Sequence, residues 1–173
     1  LADIKDMVLS AELYECEFSE NPDKTFRGYR AFLPAREKID SFKKMLDFIT
    51  DLKYNTLILE VGGAMEYKRH PKINEKWFEF AKDVHRYSAR CDEIQYSYAW
   101  SKNSIHVDNA DGEILTQDEV RSIVELAKSY NLNVIPEIPS LSHADYLCQA
   151  YPEIAERDND PYPDTYCPSN PKS

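Results

Sequence analysis

Two glutamates and one histidine stand directly after apolar runs of this sequence. Glu60 ends the run NTLILE, just before Gly62 and Gly63, Glu137 ends the run LNVIPE, and His143 follows in EIPSLSH. Carboxylates and imidazoles are the side chains that most often transfer protons in enzymes. Because a carboxylate at the carboxyl end of a barrel strand faces the mouth and not the packed interior, these three residues are the first candidates for chemistry.

The glutamate pair has two interpretations. If the two runs form neighbouring strands, these lie about 4.8 Å apart, which is close to the separation of about 5 to 5.5 Å between acid and nucleophile in retaining glycosidases. Alternatively, each carboxylate pairs with an Arg or Lys across the rim. His143 alone is equally well explained as a solvated or capping residue, although Pro136 and Pro139 restrict the backbone around Glu137 and indicate a rigid loop.

Alternating strand and helix patterns must position these side chains. The predicted strands are RGYRAFL (27–33), NTLILEVGG (55–63) and LNVIPEI (132–138). The segments REKIDSFKKMLDFITDLKY, NEKWFEFAKDVHRYSAR and ADYLCQAYPEIAER predict helices, and Thr116 with Glu119 forms a capping box, T-x-x-E, that begins one more. This order implies right-handed βαβ units and a parallel sheet.

Two α/β folds contain such units, the (β/α)8 barrel and the open doubly wound sheet. No G-x-G-x-x-G follows a strand, which disfavours dinucleotide binding. A full barrel needs about 250 residues, so we predict an N-terminal portion of a (β/α)8 barrel with about three βα units. Residues 25–173 would form this partial domain, and residues 1–24 a lead-in segment with one candidate strand, VLSAELYECEF. Two open sheet edges would call for the remainder of the barrel or a self-associated copy as partner.

Composition excludes several classes of function. Lys and Arg number 21 against 31 Asp and Glu, a net charge of −10, which disfavours nucleic acid and anionic membranes as partners. No run approaches the roughly 18 apolar residues of a membrane span, and no signal peptide is visible, so the compartment stays open between cytoplasmic and secreted. The four cysteines form no C-x-x-C pair and DNADG lacks EF-hand spacing, so we expect no metal.

Five segments in this order resemble one known family. RG opening a strand, NTLILE, LTQDEVRSIVELAK, VIPEIPSLSH and CPSNP are similar to the start of the catalytic barrel of family 20 glycoside hydrolases, the β-N-acetylhexosaminidases. The resemblance covers about residues 25 to 171. It implies that Arg27 binds hydroxyls of the terminal sugar, that His143 supports the catalytic acid, and that Glu137 and Glu60 bind substrate or line the rim.

The resemblance also implies a reaction. In that family the 2-acetamido oxygen of the substrate attacks the anomeric carbon, an Asp orients the acetamido group, and a Glu protonates the leaving oxygen; no cofactor takes part. That Asp-Glu pair follows the fourth strand, beyond this chain, so we expect a retaining, exo-acting hydrolase of terminal β-N-acetylhexosamine whose isolated chain is inactive. LEVGGAMEY stands where the family commonly has H-W-H-x-x-D-D. This departure favours a rival, a non-catalytic glycan-binding barrel. A third possibility is a different barrel glycosidase that uses Glu60 and Glu137.

Overall fold

A three-stranded parallel sheet organises the chain. The computed structural model describes residues 22–94, 109–158 and 163–173, with the backbone alone for 83–94. The strands are β1 (Gly28–Phe32), β2 (Thr56–Glu60) and β3 (Asn133–Glu137), in the spatial order β1-β2-β3. The three strands predicted at 27–33, 55–63 and 132–138 are thus confirmed, with ends one to three residues shorter. The lead-in segment with its candidate strand and most of the aromatic stretch IQYSYAW lie outside the described residues.

Four helices accompany the strands. They are α1 (Ile39–Asp51), α2 (Pro71–Ile94), α3 (Gln117–Ser129) and α4 (Asp145–Ala150). Helix α1 buries Phe42, Leu46 and Ile49, which recur at the three-and-four spacing of one helix face. Leu52 continues this spacing in the sequence, which predicts that it is buried too, but it lies beyond the helix end and is 54% exposed.

Helix α3 begins at the predicted capping box. Thr116 accepts a hydrogen bond from the backbone N–H of Glu119, and the Glu119 carboxylate accepts one from the backbone N–H of Thr116. Arg36, which precedes α1, donates to both oxygens of the same carboxylate at 2.6 and 2.9 Å. These bonds hold the pKa of Glu119 at about 2, with Arg36 as the main cause. Glu119 therefore helps to cap α3 and, through Arg36, also joins the beginnings of α1 and α3.

The helices cover one face of the sheet. Leu57 and Leu59 of β2 point to that face and are fully buried in a core shared with α1 and α3. Side chains alternate along a strand, so residues 58 and 60 point to the opposite face. There Ile135 of β3 remains 44% exposed. On this second face Ile135 is thus exposed, while Thr56 and Glu60 of β2 are buried.

Candidate functional site at the carboxyl ends of the strands

Register brings the two candidate glutamates side by side. Glu60 is the last residue of β2 and Glu137 the last of β3, and the two are register partners. Arg30 lies on β1, two residues before Phe32, the register partner of Glu60. Because successive side chains along a strand point to opposite faces, those of Arg30, Glu60 and Glu137 lie on the same face of the sheet. The adjacency predicted for the glutamates is confirmed.

One guanidinium joins the two carboxylates. Arg30 donates from Nε to Oε2 of Glu137 at 2.6 Å and from Nη2 to Oε2 of Glu60. The side chains of Arg30 and Glu137 are 42% and 32% exposed, whereas that of Glu60 is 1% exposed. Arg30 and Glu137 can therefore reach a ligand, while Glu60 lies behind them and fixes the guanidinium. This is the cross-rim ion pairing that the sequence left open as an alternative to an acid and nucleophile pair.

Burial dominates the electrostatics of Glu60. Desolvation raises the pKa of its carboxyl from 4.5 to about 7; Arg30 opposes the rise, and the charges of Glu137 and Asp145 add to it. The hydrogen bond from Arg30 to Glu137 in turn raises the pKa of the guanidinium, which stays charged. The cluster thus combines a permanent cation with a carboxyl group that titrates near neutral pH.

His143 lies in the loop that follows β3. It is half-buried, and its φ of 55° is in the left-handed region, as is the φ of 73° at Leu141. Such conformations cost energy in residues other than glycine and persist where surrounding contacts enforce them. The loop is fixed by hydrogen bonds from Tyr166 N–H to the Leu141 carbonyl at 3.0 Å and from Ala144 N–H to the Asp164 carbonyl at 2.7 Å. His143 therefore lies in a loop that is tied by hydrogen bonds to residues 164 and 166.

Arg27 is not part of the cluster. It precedes β1, at the amino-terminal end of the sheet, whereas Glu60 and Glu137 end their strands. Its guanidinium donates to the backbone carbonyls of Lys53 and Lys24, both at 2.6 Å. Arg27 therefore does not lie beside the two glutamates, because parallel strands present opposite ends to opposite rims of the sheet. That it binds a sugar stays a prediction. Arg30, to which the sequence assigned no role, lies beside the glutamates.

Three further buried groups near the strand ends had not been predicted. Tyr67 and Tyr146 stack with ring centroids 6.3 Å apart, and their hydroxyls donate to the carbonyls of Gly62 and Pro139. Burial raises the pKa of Tyr67 to about 12 and that of Tyr146 further. Asp145, the first residue of α4, is 4% exposed, and burial raises its pKa from 3.8 to about 7. Only the position of Asp145 two residues after His143 could have drawn attention to it.

The described residues hold no group of three or more His, Cys, Asp and Glu side chains arranged to bind a metal ion. Cys167 is a free thiol, while Cys16 and the side chain of Cys91 lie outside the described residues. No helix in the part of the chain that the structure describes is long and apolar enough to cross a membrane.

The sequence of this chain is similar to those of known proteins. The model of the family described as "Glycosyl hydrolase family 20, catalytic domain" matches residues 29–172. A β-hexosaminidase of Porphyromonas gingivalis is 27% identical over 148 residues, which are 80% of this chain and 16% of that protein. The chain spans well under a third of each relative named here.

Solved structures also resemble this chain. The chitobiase of Flavobacterium johnsoniae superposes with a TM-score of 0.54 and 26% identity, over 87% of this chain and 20% of that one. The N-acetyl-β-hexosaminidase of Streptomyces plicatus gives a TM-score of 0.55 over 84% of this chain and 27% of that one, and at 19% identity it bears on the fold alone.

Proposed function

Because the chain belongs to glycosyl hydrolase family 20 and supplies the N-terminal part of its (β/α)8 barrel, we propose that it forms one side of a sugar-binding site for terminal β-N-acetylhexosamine. The barrel prediction is confirmed, and the open doubly wound sheet is excluded. The parent protein would be a retaining, exo-acting hydrolase in which the acetamido group of the substrate attacks the anomeric carbon. The chitobiase and β-hexosaminidase relatives support this substrate class.

One observation carries the proposal: Arg30 bridges Glu60 and Glu137 at the carboxyl ends of the strands. A fixed guanidinium still has donors for sugar hydroxyls, and a partly exposed carboxylate accepts from them. Arg30 would donate to the ring hydroxyls, Glu137 would accept from them, and Glu60 would hold Arg30 in place. His143 would line the same site from its loop.

The burial of Glu60 argues against the rival in which the two glutamates are acid and nucleophile. A nucleophile must contact the anomeric carbon, and a side chain that is 1% exposed behind an arginine does not reach it. Glu137 is held by the same guanidinium. We therefore propose that the chain alone binds sugar without hydrolysing it, and that the acid and the orienting Asp belong to a later strand.

The test is binding of N-acetylglucosamine to the full chain, measured by saturation-transfer NMR. Arg30→Met should abolish the saturation signal, because Met keeps much of the side-chain volume and removes all five donors. The matched control is Arg27→Met, which removes a guanidinium at the opposite end of β1 and should leave the signal intact. Circular dichroism would show that both variants fold.

The opposite pattern, with binding lost in Arg27→Met and kept in Arg30→Met, would contradict the assignment. Incubation with the nitrophenyl glycoside of β-N-acetylglucosamine should give no turnover by this chain, and steady turnover would return Glu60 and Glu137 to the role of catalytic pair. If the complete protein binds the sugar without turnover, the glycan-binding alternative holds instead.

A further inference from the structure

Asn109 is anchored at the carboxyl ends of β1 and β2. It begins the short 3-10 turn Asn109–Gly112, which precedes α3, and it is 1% exposed. Its Oδ1 atom accepts a hydrogen bond from the backbone N–H of Leu33 at 3.0 Å, and the same N–H also donates to the backbone carbonyl of Glu60 at 3.2 Å. The N–H of Ala110 donates to the Leu33 carbonyl at 2.8 Å. These bonds hold Asn109 beside Glu60.

The bond from Leu33 also determines the orientation of the Asn109 amide. Because a backbone N–H can only donate, the atom that faces it is the amide oxygen, and the amide nitrogen lies on the other side. That nitrogen, Nδ2, is buried, and within the described residues it has no hydrogen-bond partner. A buried donor that stays unpaired is costly, so the position of this nitrogen calls for an acceptor.

Asn55 shows what an asparagine does when its role is to anchor a strand. Its Oδ1 accepts from the backbone N–H of Arg27 at 3.0 Å, and its Nδ2 donates to the Thr25 carbonyl at 2.7 Å. Asn55 and Asn109 thus hold opposite ends of β1 in the same way with their oxygens. They differ in the nitrogen, which is used for backbone anchoring in Asn55 alone. Anchoring of β1 therefore does not account for the donor of Asn109.

Gly62 shows where this donor points. Its φ is +37°, and a Cβ at this position would lie 3.3 Å from Nδ2 of Asn109 and 3.6 Å from Oε1 of Glu60. Among the described residues, leaving out 61–63, no other heavy atom lies within 4 Å of that point. A donor and a carboxylate oxygen therefore flank one point, where the oxygen of a water molecule would accept from the first and donate to the second.

We propose that Asn109 is a positioning residue that donates to Oε1 of Glu60 through one water molecule beside Gly62. Arg30 donates to the other oxygen of the same carboxylate, Oε2. The two donors together fix the orientation of the Glu60 carboxylate and, through it, that of the guanidinium. Glycine is required at position 62 because a side chain there would take the place of the water. The role toward a sugar rests on the proposed function, whereas the bridge to Glu60 does not.

Two NMR signals of the unmodified full chain report on the bridge. The side-chain amide signal of Asn109 should shift with pH at the same midpoint as the carboxyl carbon of Glu60. The amide protons of Asn109 should also show a nuclear Overhauser contact to water. The side-chain amide signal of Asn55, whose nitrogen donates to a backbone carbonyl, should not follow the Glu60 midpoint.

Asn109→Leu removes the donor and keeps the approximate size of the side chain, while the N–H of Leu33 keeps the Glu60 carbonyl as its partner. The titration midpoint of the Glu60 carboxyl carbon should rise by about one pH unit, because a hydrogen bond to the ionised form favours that form. Asn55→Leu is the matched control and should leave the midpoint in place. The other influences on Glu60 stay as they are, namely burial and the groups Arg30, Glu137, Asp145 and Tyr146.

An unchanged Glu60 midpoint in a folded Asn109→Leu would overturn the bridge, as would an Asn109 amide that does not follow the midpoint or lacks the contact to water. If Asn109→Leu does not fold, the two signals of the unmodified chain decide. Addition of N-acetylglucosamine separates the two proposals. If the bridge is found and the unmodified chain does not bind the sugar, the sugar site is refuted and the positioning of Glu60 by Asn109 stands.

Discussion

Replacement of Glu60 by Gln should flatten the dependence of stability on pH. Glu60 is buried, and its pKa in the folded chain is about 7 against an ordinary value of 4.5. Between these two values the unfolded chain loses the proton while the folded chain keeps it. The free energy of unfolding therefore falls as pH rises from about 4.5 to about 7 and then levels off.

The magnitude follows from the two pKa values. The difference between about 7 and 4.5, at about 1.4 kcal/mol for each pH unit, is about 3 kcal/mol. Gln cannot ionise, so Glu60→Gln should remove that fall. Relative to the unmodified chain, the variant should gain up to about 3 kcal/mol between pH 4.5 and pH 8. Asp145, whose pKa is raised from 3.8 to about 7, contributes a fall of its own, which should persist in the variant.

The assay is urea unfolding at a series of pH values, monitored by circular dichroism. The free energy of unfolding is extrapolated to water at each pH. Glu75→Gln is the matched control, because Glu75 is an exposed glutamate of α2; its profile should run parallel to that of the unmodified chain. If the Glu60→Gln profile is also parallel, Glu60 is ionised throughout in the folded chain. The guanidinium of Arg30 would then fully offset the effect of burial, and the reasoning about this cluster would be wrong.

The elements of the fold could be predicted because each depends on local pattern. The capping box at Thr116 and Glu119 defined the beginning of α3 without any knowledge of the rest of the chain. The apolar spacing of α1 gave its buried face, and failed only at Leu52, where the helix ends and periodicity no longer applies. Adjacency of Glu60 and Glu137 followed from sequential strand order, because parallel strands that end together bring their last side chains together.

The composition of the site could not be predicted in the same way. Arg27 and Arg30 lie on the same short segment, and only the strand direction and register show which of them reaches the glutamates. The stack of Tyr67 on Tyr146 joins residues 79 positions apart in sequence, and no local pattern specifies it. Resemblance to a family transferred the RG pair but not the geometry, and it is Arg30, not Arg27, that the structure places beside the glutamates.

Two further substitutions test the contacts that hold the loops and helices. Glu119→Ala removes the cap of α3 and a partner of Arg36, and should cost about 1 to 2 kcal/mol in urea unfolding at neutral pH; the side chain is 38% exposed, which limits the ionic part. Because the pKa of Glu119 is lowered to about 2, the loss should disappear as pH falls from about 4.5 toward 2, and an equal loss at pH 2 would show that charge plays no part. Gly63→Ala should cost about 1 to 3 kcal/mol, because the new methyl group meets the rigid ring of Trp77, which cannot move without displacing α2. Gly28→Ala is the control, since its Cβ would meet the far end of an exposed phenylalanine side chain that can turn away; equal losses in the two variants would mean that the indole yields to the methyl group and does not fix the loop after β2.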